Sequence, residues 1–334
     1  MKHYNKLILL VLIIFLSGCN NSKTSSNVVN VLNWSSYIPD EVIKDFENET
    51  GIKVNYGTYS SNEELLAKVN SSKEGTYDVI FPSDYMVELM KERGLIQPLN
   101  KSKLSNINNL NKLFLKQPYD YNNDYSYPFL TTDVVIAVNR NNIKDNITSY
   151  NDLLNSKYKN NIVLIEDQRI IIGMALLANN YDMSATDKIS LSRAKDWLLK
   201  LKPNIKAYDS DSPKSFLITN EADIGIMWNA EAELAKEKNS NIEIIDPIEG
   251  HAISTDNYCI VKGSKNIDNA YIFINYLLKN EVSSKITKEY PYISPNNIKQ
   301  NSIIKPTNIF NNGYYVKNIG SNINEYDKLW ADIK

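Results

Sequence analysis

Histidine and cysteine are scarce in this chain, and their scarcity excludes several kinds of chemistry. Of 334 residues, only two are histidine and two are cysteine. His3 lies near the N-terminus, and His251 lies in EGHAIS without a nucleophile motif beside it. A Ser-His-Asp centre therefore has no suitable base, and a structural zinc site has no Cys/His cluster. We predict no metal, no cofactor and no enzymatic activity, and we place His251 at the surface or at a hinge.

An excess of one charge is also missing. The chain has 37 Lys+Arg against 39 Asp+Glu, and neither a basic arm nor a basic stripe is present. Nucleic acid is therefore not an expected partner. The phosphate-cradling pattern GxxxxGK[ST] is absent as well, so ATP would be used by a partner subunit.

One long apolar run is present, and it lies at the start of the chain. Two lysines precede residues 7–16, LILLVLIIFL, and Ser-Gly-Cys follows. This order is typical of a secretory signal peptide, because the run is short for a membrane span; the alternative is an uncleaved anchor. The run LSGC resembles a bacterial lipobox, which predicts a signal peptide over residues 1–18 and lipidation of Cys19. Residues 19–27 would be a tether, placing the protein at the outer face of the cell membrane or in the periplasm.

Strand-like and helix-like stretches alternate along the rest of the chain. The run NVVNVL reads as a strand, and PDEVIKDFENETG follows as a helix that begins after Pro39 and ends at Gly51. Ser61 and Glu64 have capping-box spacing at the start of the next helix. This alternation predicts an α/β fold of about two domains, with parallel or mixed sheets covered on both faces. Cys259, in NYCIVKG, is predicted to be buried in a strand.

Aromatic and acidic residues recur where the predicted strands pass into helices, as in LNWSSYIP at residues 32–39. This edge of an α/β sheet is where ligands bind. The aromatic rings are Trp34, Tyr37, Tyr85 and Trp228; the carboxylates are Asp84, Glu166, Asp167, Asp209, Asp211, Glu231 and Asp256; the hydroxyls are Ser35, Ser36, Ser83 and Ser210. Arg169 is nearly the only base among them. Because aromatic faces attract cations and carboxylates neutralise ammonium groups, the set predicts a site for an organic cation with a hydrocarbon body.

Some candidate residues have a purely structural alternative. Trp197 and Trp330 fall in amphipathic helices, where we expect them to pack in the core. Asp209 fits a helix cap, and Glu231 fits a helix cap and a ligand contact equally well.

Six stretches of the chain resemble one known family over nearly all of the mature sequence. They are LNWSSYIPDEVIKDFENETGIKV, TYSSNEELLAKV, YDVIFPSDY, NNDYSYPF, IGIMWN and YISPN. In these runs the chain is similar to the polyamine-binding proteins of bacterial ABC importers, the spermidine/putrescine receptors. The combination of NWxxYIP, FExETGIKV and YDVxxPSxY is specific to that resemblance.

The resemblance implies a type II periplasmic-binding-protein fold, with two α/β lobes, each a mixed sheet with helices on both faces, joined by two crossing segments that form a hinge. Lobe 1 would comprise residues 28–132 and 257–298, and lobe 2 residues 133–256 and 299–334. The cation site carried over by motif would use Trp34, Ser35, Tyr37, Ser83, Tyr85, Asp167, Ser210, Trp228, Asp256 and Tyr292. The aromatic rings would sandwich a methylene chain, and the acids would grip the amino ends.

Three positions depart from the family pattern. Ile170 stands where the family has a second carboxylate, Ser254 where it has a tryptophan, and Val316 approximately where it has a glutamine. A buried ammonium without its partner costs about 3–5 kcal/mol, or two to four decades of affinity. A triamine in the usual pose would therefore bind poorly. Because Glu231 could restore one negative charge, we expect a diamine held near Asp256 and Glu231.

The sequence thus leads to a monomeric, lipid-anchored receptor without catalytic activity. It would capture a polyamine of the putrescine/spermidine class and deliver it to the permease and ATPase subunits of an ABC transporter. Another small organic cation is the first alternative. A glycoside hydrolase would also use acids and aromatic rings, but no extended row of sugar-stacking aromatics is present. A ferric-ion receptor would use adjacent tyrosines, found here only at Tyr314 and Tyr315.

Overall fold

The computed structural model describes residues 27–35, 37–210, 212–300 and 309–334. The predicted signal peptide, Cys19 and most of the tether lie outside the described residues, as do Ser36 and Asp211. Among the helices of the described ranges, none is both long and apolar enough to cross a membrane.

The elements alternate between strand and helix, as predicted. The first six are β1 (Val28–Trp34), α1 (Asp40–Thr50), β2 (Lys53–Tyr59), α2 (Asn62–Ser71), β3 (Val79–Ile80) and α3 (Asp84–Glu92). After four short 3₁₀ turns come β4 (Tyr127–Asn139), β5 (Ile162–Leu164), α4 (Gln168–Ala178), α5 (Lys188–Leu201), β6 (Ile205–Tyr208), α6 (Lys214–Ile218), β7 (Ile224–Trp228), α7 (Asn229–Lys238) and β8 (Ile242–Ile245). The last elements are β9 (His251–Ile260), α8 (Ile267–Leu277), α9 (Asn280–Glu289), β10 (Gly313–Tyr315) and α10 (Ile323–Ile333).

Two sheet regions share two long antiparallel strands. In the first half (β1–β3 with α1–α3, α8 and α9), β1 lies parallel between β2 and β3, and β3 pairs with the end of β9. In the second half (β5–β8 with α4–α7 and α10), β5 lies parallel between β6 and β7. β4 pairs with β9 over Tyr127–Asp133 and with β7 and β8 from Val134 onward. β4 and β9 therefore connect the two halves.

This mixed α/β arrangement with two connecting strands agrees with the fold class expected from the sequence. β4 changes its partner after Asp133, at the residue where the second lobe was predicted to begin. The division into residues 28–132 plus 257–298 and 133–256 plus 299–334 stays a prediction, which this change of partner supports.

Local sequence accounts for the helix ends in the first half. Gly51 ends α1 with φ = 70°, a left-handed conformation that glycine adopts without strain, and its N–H donates to the Glu47 carbonyl. Ser61 caps α2, because its hydroxyl accepts from the Glu64 N–H at 3.1 Å. The Glu64 carboxylate accepts from the N–H of Ser60 rather than Ser61, so only half of the expected capping box forms.

Two of the predicted core residues are buried, and the third is half-buried against the core. Cys259 is fully buried in β9, opposite β3. Trp197 is buried in α5, and Trp330 is half-buried in α10 against the ring of Tyr208, with centroids 5.3 Å apart. The sequence pattern therefore identifies these two tryptophans correctly as packing residues.

His251 lies at the start of β9, and its burial rules out the surface position that the sequence left open. Its Nδ1 is 2.6 Å from a carboxylate oxygen of Asp246, and its Nε2 is 3.8 Å from the buried Asp133 on β4. Burial opposes protonation of His251, but the hydrogen bond to Asp246 and the charge of Asp133 outweigh it and raise the pKa of the imidazole. His251 and Asp133 lie close together on the two connecting strands, β9 and β4, which fits the predicted hinge position of His251.

Candidate functional site

The centre of the candidate site is Asp256, a nearly buried carboxylate on β9 whose exposed fraction is 4%. Its Oδ1 accepts hydrogen bonds from Trp34 Nε1 at 3.1 Å and from Ser83 Oγ at 2.7 Å, and its Oδ2 accepts one from the Tyr37 hydroxyl at 2.6 Å. Trp34 ends β1, and Ser83 lies three residues beyond the end of β3. The strand-end rule therefore accounts for Trp34 and Ser83, whereas Asp256 lies within β9 and meets Ser83 at an antiparallel bridge.

The chemistry of Asp256 is that of a carboxylate without a counter-ion. Burial raises the pKa of its carboxyl group to about 6, although the three hydrogen bonds act in the opposite direction. Within the described residues, no lysine or arginine forms an ion pair with it. A cation reaching this carboxylate would therefore favour its ionised form and gain a charge-assisted hydrogen bond.

Aromatic rings surround this carboxylate. The ring centroids of Trp34 and Tyr59 are 4.6 Å apart, those of Tyr37 and Tyr292 are 4.7 Å apart, and those of Trp34 and Tyr37 are 6.3 Å apart. The indole N–H of Trp34 is shared between Asp256 and the Phe81 carbonyl, which holds the indole in one orientation. The rings offer π faces beside a buried anion, an arrangement suited to an organic cation.

Sequence reasoning missed Tyr59, which packs against Trp34, and Asn62, which bonds to Ser83. Tyr59 ends β2 directly opposite Trp34 in the parallel pair. The strand-like stretch IKVNYGTY ends at this residue, so the strand-end rule applied there would have found it. The side-chain amide of Asn62 donates to Ser83 Oγ at 3.0 Å and accepts from the Ser83 N–H at 3.2 Å. It thereby turns the Ser83 hydroxyl proton toward Asp256.

Asp167 belongs to the second half and caps α4. Its Oδ1 accepts from the N–H groups of Arg169 and Ile170 at 2.8 and 3.1 Å. Burial raises the pKa of this carboxyl group against the effect of those hydrogen bonds and of the Arg169 charge. Ile170, which replaces a family carboxylate, is buried in the core. Its side chain therefore adds no charge to the site.

Arg169 reaches from α4 to the first half of the molecule. Its Nη1 lies 2.6 Å from Glu63 Oε1 on α2, and its guanidinium lies 4.4 Å from the ring centroid of Tyr85 on α3. The side chain of Arg169 is 12% exposed. Its cation already covers one face of a predicted ligand-contacting ring. Sequence reasoning missed Glu63, because 106 residues separate it from Arg169 and no local spacing connects them.

Glu231, expected to supply a compensating negative charge, already has a cationic partner. The Lys214 ammonium donates to both oxygens of its carboxylate, at 2.9 and 2.6 Å. Burial raises the pKa of the Glu231 carboxyl group, and Lys214 opposes that rise. Asp209 accepts from the Ser212 N–H at 2.8 Å in the loop before α6. Because α6 begins after Pro213 without a side-chain cap, the prediction that Asp209 caps a helix is wrong.

The remaining predicted site residues are not among the side chains that donate to Asp256. Trp228 is half-buried at the start of α7. Ser35 and Ser210 are exposed, and the Ser210 hydroxyl donates to the Glu166 carbonyl at 3.0 Å. Of the other departures from the family pattern, Ser254 is half-buried in β9 and Val316 is buried.

A metal centre is not indicated. Among the described residues, no group of three or more His, Cys, Asp or Glu side chains could hold a metal ion. The acids of the site have separate roles instead: Asp256 is buried among aromatic rings, Asp167 caps α4, and Glu63 and Glu231 form ion pairs with Arg169 and Lys214.

Comparison of the sequence with known proteins assigns this chain to a family. A family model for bacterial extracellular solute-binding proteins matches residues 41–301. The spermidine/putrescine-binding periplasmic protein of Escherichia coli is 33% identical over 321 residues, covering 92% of this chain and 92% of that protein. The protein of the same name from Salmonella typhimurium is 38% identical over 265 residues, covering 79% of this chain and 76% of that protein.

Solved structures agree with the sequence comparison. A putative spermidine/putrescine ABC transporter from Listeria monocytogenes has a TM-score of 0.86 at 31% identity, covering 92% of this chain and 99% of that one. The resemblance stated from the sequence and the predicted fold class are both confirmed, and proteins of this kind bind solutes rather than catalyse reactions. The chain belongs to the bacterial extracellular solute-binding protein family.

Proposed function

We propose that this protein is the lipid-anchored receptor of an ABC importer, and that it captures a dicationic polyamine of the putrescine class between its two halves. The observation that carries the proposal is Asp256, a carboxylate buried among aromatic rings with three neutral hydrogen-bond donors and no cation partner among the described residues. Burying an anion without its counter-ion is costly, so such a group is expected at a place where a cation binds.

The ligand would be held by charge at its ends and by apolar contact along its chain. One ammonium would donate to Asp256, and the methylene chain would lie against Trp34, Tyr37 and Tyr292. The other ammonium would reach Asp167, which also has no ion-pair partner within the described ranges. Asp256 and Asp167 would therefore supply one carboxylate for each end of a diamine. The buried carboxylate of Asp84, by contrast, accepts from the backbone N–H groups of Tyr85 and Thr255.

The names of the relatives support the same ligand class. The Escherichia coli and Salmonella typhimurium relatives are spermidine/putrescine-binding proteins, and a Pseudomonas aeruginosa relative, 28% identical over 292 residues, is a putrescine/cadaverine-binding protein. Family membership removes the glycoside hydrolase alternative. Another small organic cation bound at Asp256 is the second candidate.

The anchor and the partners are part of the proposal. The run LSGC supports lipid attachment at Cys19, and the family supports delivery to a permease with its ATPase subunits. Incorporation of radiolabelled palmitate into the full-length protein expressed in bacteria tests the anchor. We expect labelling of the wild type and none of Cys19→Ser; equal labelling of the two would contradict lipidation at Cys19.

Isothermal titration calorimetry of the purified protein with putrescine, cadaverine, spermidine and spermine tests the ligand class. We expect one diamine to bind at a single site, more tightly than spermidine. Size-exclusion chromatography of the same sample should show a monomer. Flat titrations with all four amines would remove the polyamine proposal.

A further inference from the structure

The ion pair of Lys214 and Glu231 differs from the other lysine–carboxylate pairs of the described residues. Its side chains are 25% and 14% exposed, whereas in each of the others at least one partner is 30% or more exposed. Lys214 begins α6 after β6, and Glu231 lies in the first turn of α7 after β7. Both helices start at the sheet edge that holds the candidate site.

Two contacts and one electrostatic interaction relate this ion pair to the buried carboxylate. The Tyr37 hydroxyl donates to Asp256, and the Tyr37 ring lies 4.7 Å from the ring of Tyr292. The charge of Glu231 acts on the phenol of Tyr292, as does the charge of Asp256. Tyr292 therefore lies within electrostatic range of both Asp256 on the connecting strand and Glu231 in the second half.

We infer that Lys214 is a specificity-determining residue. Its ammonium occupies the Glu231 carboxylate and so prevents a third ammonium group of a ligand from binding there. The inference rests on the proposed function and specifies how many charges the ligand carries. A free ammonium could reach Glu231 only by displacing one that is tethered to the same site, and a tethered group competes at a high effective concentration. The displaced Lys214 would then lie half-buried beside another cation, which is unfavourable.

Removing the Lys214 charge should open this third subsite. Lys214→Met keeps a long apolar side chain and leaves Glu231 free to accept from a ligand ammonium. One charge-assisted hydrogen bond corresponds to about a 10- to 100-fold change in affinity. We therefore expect the affinity for spermidine relative to putrescine to rise by about 10- to 100-fold in this variant. The double variant Lys214→Met/Glu231→Gln has no acid to offer and should keep the wild-type preference.

Calorimetric titration of each variant with putrescine and with spermidine tests the inference, and thermal unfolding checks that each variant is folded. Lys195→Met is the matched control, because Lys195 forms an exposed ion pair with Asp332 and should leave both affinities unchanged. Lys214→Gln still donates a hydrogen bond to Glu231, which protects folding, and should shift the preference in the same direction.

The outcomes separate the two proposals. If the wild type binds putrescine but the spermidine-to-putrescine ratio of the folded Lys214 variants stays within threefold of the wild type, the inference is wrong and the proposed function stands. An equal rise in the ratio in the double variant would also overturn it, because Glu231 would then not be the acceptor. If the wild type binds neither amine, the proposed function fails and the inference fails with it.

Discussion

Replacing Asp256 by asparagine is expected to weaken polyamine binding strongly while leaving the ligand-free protein at least as stable at pH 7.5. The carboxylate is nearly buried, and burial raises its pKa to about 6 from an ordinary value of 3.8. Because the folded state holds this proton more tightly than the unfolded state, stability falls as pH rises from about 4 to about 6, and it stays lower above that range. A shift of two pKa units corresponds to about 3 kcal/mol.

Asparagine avoids this electrostatic cost and keeps most of the hydrogen bonds. Its amide oxygen still accepts from Trp34 and Ser83, and only the bond from Tyr37 loses its acceptor, at a cost of about 1 kcal/mol. We therefore expect the free energy of unfolding to be about 2 kcal/mol higher than in the wild type at pH 7.5. Below pH 4, where the wild-type carboxyl group is protonated and incurs no such cost, the variant should be about 1 kcal/mol less stable because of the lost Tyr37 bond. Binding should weaken by two to four decades, because the ligand ammonium loses a buried ionic partner.

Two assays read the two halves of this prediction. Urea unfolding without ligand between pH 4 and 8 gives the stability difference, and calorimetry with putrescine at pH 7.5 gives the affinity. Asp268→Asn is the control, because this acid is exposed in an ion pair with Lys103 and should change neither quantity. An Asp256→Asn variant that unfolds more easily at pH 7.5, or that binds putrescine within threefold of the wild type, would refute the reasoning.

Three further predictions follow from the described contacts. Trp34→Phe removes the indole donor to Asp256 and should weaken putrescine binding about tenfold, whereas Trp197→Phe in α5 should leave binding unchanged; equal effects in calorimetry would make Trp34 a core residue. Arg169→Met breaks the contacts of α4 with α2 and α3, so small-angle X-ray scattering of the ligand-free protein should show a larger radius of gyration; an unchanged radius would contradict a role in holding the halves together. The raised pKa of His251 adds stability below about pH 6.5 that is lost as pH rises through that pKa, and this part of the pH dependence should vanish in His251→Gln; identical pH profiles of unfolding would disprove it.

The first half of the site could be predicted from the sequence because its geometry is set by strands. Trp34 ends β1, Ser83 lies just beyond β3, and Asp256 lies within β9 opposite Ser83. The carboxyl ends of the parallel strands β1 and β3 meet at one edge, so Trp34 and Ser83 converge without any further information, and the antiparallel strand β9 brings Asp256 to the same edge.

The second half of the site could not be predicted in the same way, because its ion pairs are formed by long, flexible lysine and arginine side chains. Glu231 was read as either a cap or a ligand contact, and nothing in its local spacing shows that Lys214, 17 residues earlier, reaches it. The contact of Arg169 with Glu63 spans 106 residues and depends on how the two halves face each other. The ion-pair partner of a long basic side chain depends on tertiary structure, which the hydrophobic periodicity of the sequence does not specify.

The most direct measurement of the central claim is a crystal structure of the wild-type protein with putrescine. We predict one ammonium nitrogen about 3 Å from a carboxylate oxygen of Asp256, with the methylene chain against the rings of Trp34 and Tyr292 and with Lys214 still on Glu231. A diamine bound elsewhere, or a well-ordered diamine with no nitrogen near Asp256, would contradict the claim that this buried carboxylate is the cation site.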